Sequence, residues 1–218
     1  MSEIAYQAGL KAFTDTFAEE EAGFNGSLAR AAGRATAKED KAWWIKNGPS
    51  MVFSYYQWRQ ANPNLVIWHT PDGVPAIELE CNITLPDGTV LKAFIDRVFE
   101  DRNTGQLLIV DLKSGKTTPA TALQLAVYRL CIEETFGVSP KHGAYWMARG
   151  GTLDAIHDLE RIPPVMVSRW LRDVKKAIDL RLFVPHLTRD CASFCGVREH
   201  CYTQNPAVPT PDFTSDIG

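Results

Sequence analysis

The sequence predicts an α/β fold built on one mixed β-sheet, and three features carry that expectation. Both ends of the chain are patterned as helices, four apolar or alternating segments fill residues 65–111, and a well-bounded helix then leads to one more strand-like segment. Residues 1–62 read as helical, beginning with the acidic amphipathic stretch MSEIAYQAGLKAFTDTFAEEEAG. Breaks are predicted at Gly23 to Gly26 and at Asn47-Gly48-Pro49, where a proline lacking its amide hydrogen follows glycine. From Leu65 the character changes. LVIW, AIELECNITL, VLKAFIDRVF and QLLIVDL are separated by TPDG, PDG and RNTG, the punctuation of an antiparallel meander. Thr118 as N-cap, Pro119 at the first helical position and Gly137 after Phe136 bound the next helix, which crosses over to the strand GAYWMAR. Pro164 to Phe183 form a basic amphipathic helix and CASFCGVREHC a compact loop. The tail NPAVPTPDFTSDIG, with its three prolines, reads as extended or disordered. This divides the chain into a helical region over 1–62, a sheet-and-helix core over 63–162, a helix with a cysteine-rich loop over 163–204 and a tail over 205–218, within one compact domain.

A chain of 218 residues suits a single core, and its 45% hydrophobic content is that of an ordinary globular protein. The N-terminus lacks the basic start and apolar block of a signal peptide, so a cytoplasmic location away from membranes is expected. A net charge of -3 excludes a uniformly basic nucleic-acid-coating surface. Local patches must then carry any such contact. Arg30, Arg34, Lys38, Lys41 and Lys46 interleave with Trp43 and Trp44, and Arg169, Arg172, Lys175, Lys176 and Arg181 surround Trp170. A solvated helix face with inward aromatics accounts for each patch equally well.

The chemistry concentrates in the strands. In AIELECNITL, Glu78, Glu80, Asn82 and Thr84 share one face, opposite Ile77, Leu79, Cys81, Ile83 and Leu85. If Pro86-Asp87-Gly88 is a three-residue loop, Leu85 pairs with Thr89 and Glu78 falls opposite Asp96. If Asn103-Thr104 is a two-residue loop, Arg102 pairs with Gly105 and Asp96 falls opposite Asp111. Three acids would then form a row across neighbouring strands. Like charges so placed repel, and a hard divalent cation, Mg2+ or Mn2+, is the natural compensation because it takes oxygen ligands and keeps waters and a substrate phosphate. Lys113, on the face of Asp111, would reach a bound water or phosphate, which is a hydrolytic arrangement. A solvated strand edge with a local salt bridge is the competing account of Asp111 and Lys113. Gln124 and Tyr128, four residues apart on one helix face, would flank the row, Gln124 on a phosphate or base and Tyr128 positioning the nucleic-acid backbone.

These segments resemble the RecB-like branch of the PD-(D/E)XK nucleases, especially the CRISPR-associated RecB-like exonucleases and their relatives in actinobacterial phages. AIELE matches the acidic strand, FIDRV the Gly-x-x-Asp-Arg strand, IVDLKSGK the Asp-x-Lys strand, QLAVY the Gln-x-x-x-Tyr helix and CASFCGVREHC the cysteine loop; GRATAKEDKAWWIKNGPSMV looks like the opening of the phage members. The resemblance covers roughly residues 30–202 and implies a restriction-endonuclease-like core, a central mixed sheet flanked by helices. Carried over by position, it makes Asp96 and Asp111 metal ligands, Lys113 the catalytic lysine, and Gln124 and Tyr128 an accessory pair. Glu78 is the further acid, with Glu80 the alternative. The implied activity is Mg2+- or Mn2+-dependent hydrolysis of linear single- or double-stranded DNA, most simply as an exonuclease in replication, recombination or repair with a recombination or helicase partner. A DNA-binding or adaptor module keeping the fold without turnover is the alternative, and a hydrolase acting on RNA is a third. Two departures stand out: Ala93 occupies the family's usual glycine position, and no histidine precedes His69.

Cys191, Cys195 and Cys201 are spaced C-x3-C-x5-C, where the resemblance leads one to expect C-x2-C-x5-C and one distant upstream cysteine. Clustered thiols in a cytosolic protein favour a metal, so a 4Fe-4S cluster, a structural Zn2+ and a metal-free loop all remain open. Cys81 and Cys131 read as core thiols, which leaves the fourth ligand open; His186 and His200 would suit zinc.

Overall fold

A computed structural model describes residues 3–23, 39, 41–182 and 198–208. Two helices come first, α1 over Glu3–Gly23 and α2 over Lys41–Ala61. Four strands follow, β1 Leu65–Ile67, β2 Ile77–Thr84, β3 Val90–Asp101 and β4 Leu107–Lys113. Helix α3, Leu123–Phe136, then leads to β5 at His142–Met147, the short β6 Thr152–Leu153 and β7 His157–Asp158, and finally α4 at Pro164–Asp179. The sheet is mixed, as expected. β2, β3 and β4 pair antiparallel, and β5 joins β4 parallel after the α3 crossover.

Both faces of this sheet are covered. One layer joins Leu79, Cys81, Ile95, Ile109 and Tyr145 of the strands to Leu125, Leu130 and Ile132 of α3 and Val167 of α4. The other packs Phe99, Val110 and Trp146 against Tyr55 and Trp58 of α2. Aromatic edges carry this second layer: Tyr55 meets Trp146 with ring centroids 5.1 Å apart, and Trp58 meets Phe99 at 5.7 Å. Strict alternation along β4 therefore assigns its residues. Ile109 enters the α3 layer, Val110 the α2 layer, and Asp111 returns to the α3 side.

Four local expectations need correction. Asn47-Gly48-Pro49 does not stop a helix, because α2 continues through it. The side chains of Asn47 and Ser50 bond to the carbonyls of Trp43 and Asn47, at 2.7 and 2.6 Å, local contacts that flank the proline within the continuous helix. Gly48 is buried because the Phe13 ring of α1 lies where a Cβ would stand, with its Cζ 1.9 Å from that position. The glycine here serves helix contact, not termination. Secondly, α3 begins at Leu123, with Ala122 as its cap; Thr118 and Pro119 lie in the preceding loop. Its C-terminus matches the expectation, Gly137 adopting the left-handed conformation and donating its N–H to Glu133. Thirdly, the β3–β4 turn is wider than two residues. Glu100 pairs with Leu107, the Asp101 N–H reaches the Gln106 carbonyl, and Arg102 to Gly105 make the bend. The register survives, because adding one residue to each side of the turn leaves the count unchanged. The helix expected from Pro164 to Phe183 ends at Asp179. The stretch after Gly23, Arg30, Arg34 and Lys38, Cys191 and Cys195, and residues 209–218 of the tail lie outside the described residues.

Candidate active site

Asp111 is 2% exposed, the most deeply buried charged side chain among the described residues. Its chain neighbours explain how it gets there: Ile109 and Val110 are fully buried on opposite faces, and the parallel pairing of β4 with β5 continues one residue further to set Asp111 beside Tyr145. Around it four side chains form one hydrogen-bonded set. The Lys113 ammonium lies 2.7 Å from Asp111 Oδ2 and donates to Gln124 Oε1 at 2.9 Å. Gln124 Nε2 donates to the Tyr128 hydroxyl at 2.8 Å, and that hydroxyl donates to Asp111 Oδ1 at 3.3 Å. The spacing of Gln124 and Tyr128, one helical turn, is what lets α3 hand both groups to the end of β4.

Asp111 Oδ2 is nevertheless buried without a hydrogen bond of good geometry, and among the described residues its close cation is Lys113. Burial pushes the Asp111 carboxyl above the usual carboxylate range; the Lys113 ammonium pulls it back and the charge of Asp96 raises it again. The Tyr128 phenol is pushed up to about 12, chiefly by burial and against the opposing hydrogen bond from Gln124, so it is a neutral donor at any physiological pH. Tyr145 is likewise pushed up to about 12, by burial and then by the Asp111 charge.

Asp96 joins from β3. Its Oδ2 accepts the Leu112 backbone N–H at 2.7 Å, which ties the carboxylate to the strand carrying Asp111. The pleat slips here, since Ile95 and Val98 both enter the α3 layer although three residues apart. The counted register holds on either side: Ile77 pairs with Arg97 and Leu79 with Ile95, so Glu78 and Asp96 are in step, and Arg97 with Val110 sets Asp96 and Asp111 in step. Glu78 nonetheless leaves the row. Its backbone is left-handed, φ +48°, and its carboxylate turns out to Arg97 Nη1 at 3.4 Å with 64% of the side chain exposed. Glu80 lies further off, on Lys92 at 2.8 Å and Asn82 at 2.7 Å at the solvent face. The row of three thus becomes a pair, Asp96 and Asp111, because a register fixes which residues oppose one another but not the torsions of the one at a bulge.

Two contributors were not legible beforehand. Tyr145, in GAYWMAR, neighbours Asp111 only because a parallel strand follows a crossover whose register cannot be counted along a turn. The SGK segment is braced by Arg149, whose Nε donates to the Ser114 carbonyl at 2.7 Å while its guanidinium lies 4.6 Å from the Trp43 ring centroid. Glu39 pairs with both Arg149, at 3.0 Å, and Lys116, and those cations hold its carboxyl below the usual range.

The donor set fits a hard divalent ion. Asp96 and Asp111 offer two carboxylates, one buried with Lys113 beside its Oδ2, and Mg2+ is commonly held by one or two carboxylates with waters and substrate phosphate completing its shell. Among the described residues no group of three or more His, Cys, Asp and Glu side chains is gathered for a metal. Of the cysteine loop, Cys201 is described: it is partly buried, 3.1 Å from the Thr203 hydroxyl, whose hydrogen bond lowers the thiol below its usual range. Cys81 and Cys131 are core thiols, as read from the sequence. No described helix is long and apolar enough to cross a membrane.

Comparison with known proteins agrees with this geometry. The chain is 31% identical over 179 residues to the Gene 69 protein of Mycobacterium phage D29, a match covering 73% of this chain and 65% of that relative, so it spans just under two thirds of the phage protein's length. The family model of the PD-(D/E)XK nuclease superfamily matches residues 6–202. With its Asp-x-Lys strand, its Gln-x-x-x-Tyr helix and a match over most of its length, the chain belongs to the PD-(D/E)XK nuclease superfamily.

Proposed function

We propose that this chain is a divalent-metal-dependent deoxyribonuclease that degrades linear DNA from its ends. The observation that carries the reading is the buried Asp111 oxygen without a good hydrogen bond, set beside Lys113 and in electrostatic contact with Asp96. A carboxylate held away from water is costly; here the Lys113 ammonium and the Tyr128 hydroxyl offset part of that cost, and a bound cation would offset more of it. Asp96 and Asp111 are the residues to hold Mg2+ or Mn2+. When bound, such an ion activates water as a nucleophile and neutralises charge on the phosphoryl oxygens.

The chain's own groups divide the remaining work. Lys113 has three N–H donors, of which Asp111 and Gln124 engage two, so one remains for a phosphoryl oxygen or the attacking water. Gln124 fixes the direction of that ammonium, and the neutral Tyr128 hydroxyl holds Asp111 in one rotamer. This is electrostatic preorganisation: the donors already point where negative charge grows on the phosphate. The cysteine loop ending at Cys201 is assigned a structural role at most, as an iron–sulfur cluster or zinc site, and iron and zinc analysis of purified protein tests it.

The decisive experiment incubates end-labelled linear single- and double-stranded DNA, and covalently closed circles, with the protein in Mg2+, Mn2+ or chelator, beside Asp111→Ala. The expected result is metal-dependent shortening of linear DNA, inert circles and an inactive variant. Binding without cleavage under every metal would refute the nuclease reading in favour of a DNA-binding module; cleavage of the circles would refute the exonuclease part alone.

A further inference from the structure

Gln124 also lines a cavity of about 350 Å3 that no step of the hydrolysis uses. Pro119, Leu123 and Val127 give it an apolar lining, the fully buried Tyr145 borders it from the core, and Trp170 contributes an exposed aromatic side chain. Its volume is at the small end of the roughly 300–1,000 Å3 typical of ligand pockets, a size for one small ring system. Gln124 belongs to both places. It lines this cavity while its amide bonds Lys113 and Tyr128, which leaves one N–H and one carbonyl lone pair free. Tyr145 is the second shared wall: it lies beside Asp111 on the parallel strand, and its hydroxyl donates to the Thr121 carbonyl at 2.9 Å, pinning the loop that closes the cavity.

Trp170 is the unusual member. It comes from α4, which packs on α3, yet it remains 45% exposed where a core tryptophan would be covered. Its helix, PVMVSRWLRDVKKAID, is basic, but Arg172, Lys175 and Lys176 line a separate hollow at the β2–β3 turn and Lys175 pairs with Asp179, so the residues around the cavity are uncharged. An exposed aromatic platform and a free amide edge beside a phosphate-cleaving centre are parts that recognise a nucleic-acid strand through its bases.

We infer that this cavity receives one unpaired nucleobase of the DNA strand, stacked on Trp170 with its edge toward Gln124, next to the phosphate presented to Asp111 and Lys113. The inference rests on the nuclease reading and adds a substrate preference to it. A base within a duplex has both faces covered by its neighbours and cannot enter, so the site selects single strands, overhangs and frayed ends over closed duplex. Gln124 then links recognition to chemistry, because the side chain that meets the base also orients the Lys113 ammonium.

The test is binding without turnover. In chelator, fluorescence anisotropy is measured with a short labelled single-stranded oligonucleotide, with a duplex closed by hairpins at both ends, and with a series carrying one abasic site at each position in turn. Trp170→Ala is expected to weaken single-strand binding about 5- to 150-fold, the range for losing one base–aromatic stack, while Trp170→Phe stays within about threefold of wild type. One abasic position should weaken wild-type binding to a similar degree and leave Trp170→Ala unchanged, and the closed duplex should bind weakly to all three proteins. Equal single-strand affinity of wild type and Trp170→Ala, or a wild-type abasic series with no sensitive position, overturns the inference. Should circular dichroism show Trp170→Ala to be unfolded, the wild-type abasic series decides alone. Cleavage by the wild type with an insensitive Trp170 sinks the pocket and spares the nuclease; base-dependent binding without cleavage does the reverse.

Discussion

Replacing Asp111 by asparagine should abolish cleavage and at the same time make the protein more stable. The wild-type oxygen Oδ2 is buried without a good hydrogen bond, a state that costs about 1–3 kcal/mol. Against that stands the contact with Lys113, whose side chain is 30% exposed and keeps its bond to Gln124, so losing the ion pair removes only about 0–1 kcal/mol. Asparagine fills the same volume and can turn its carbonyl to Lys113 while its amide donates to the Tyr128 hydroxyl, which then accepts instead of donating. The net gain is about 1–2 kcal/mol, or roughly 3–6 °C in Tm for a chain of this size. Thermal unfolding followed by circular dichroism, in chelator near neutral pH, measures it. The pH dependence fixes the cause. Burial raises the Asp111 pKa in the folded protein, so its favourable contribution is complete below the unfolded value of 3.8 and is lost as pH rises through the higher folded value. The advantage of Asp111→Asn should therefore shrink on acidification. Added Mg2+ should raise the wild-type Tm and leave the variant's unchanged, since only a state that binds the ion gains from it. If Asp111→Asn melts at or below the wild-type temperature in chelator at neutral pH, the reasoning from the buried carboxylate is wrong.

Other expectations concern single contacts. Tyr128→Phe removes a hydroxyl that donates to Asp111 and accepts from Gln124, so kcat should fall about 3- to 30-fold, the equivalent of one or two hydrogen bonds, with KM for linear DNA little changed in steady-state assays. Glu78→Gln should leave cleavage within about threefold of wild type, because its partner is the exposed contact with Arg97, whereas Asp96→Asn should eliminate it; equal losses would place Glu78 in the site after all. Gly48→Ala sets a methyl group against the Phe13 ring and should lower stability by about 1–3 kcal/mol in urea titrations, with Phe13→Ala in the same chain relieving part of the loss.

Much of the site was legible because its signals are local or can be counted. Asp111 and Lys113 share a face by strand alternation, Gln124 and Tyr128 by helical spacing, and the Leu85–Thr89 closure set the β2–β3 register correctly. The β3–β4 register was right although its turn was drawn too tight, since symmetric widening preserves a count. Local signals misled where they had two uses. Gly48 and Pro49 look like a helix stop, but the glycine accommodates Phe13 from another helix, and no window around residue 48 contains that ring. Thr118 and Pro119 have the chemistry of a helix start, yet they serve the loop before α3, part of which Tyr145 holds through the Thr121 carbonyl.

The sequence by itself determined the alternation, spacing and order of the elements, and with them the family and the four side chains that meet at the end of β4. These are short-range properties, fixed by the period of a strand or helix and by the length of a turn. Only the tertiary structure decided how many carboxylates share the site, because the pleat slip at Asp96 and the left-handed turn at Glu78 are torsional outcomes of three strands packing together. It also decided what lies beside them. Tyr145 arrives through a parallel pairing and Trp170 through the packing of α4 on α3, contacts between residues far apart in the chain that no count along the sequence can reach.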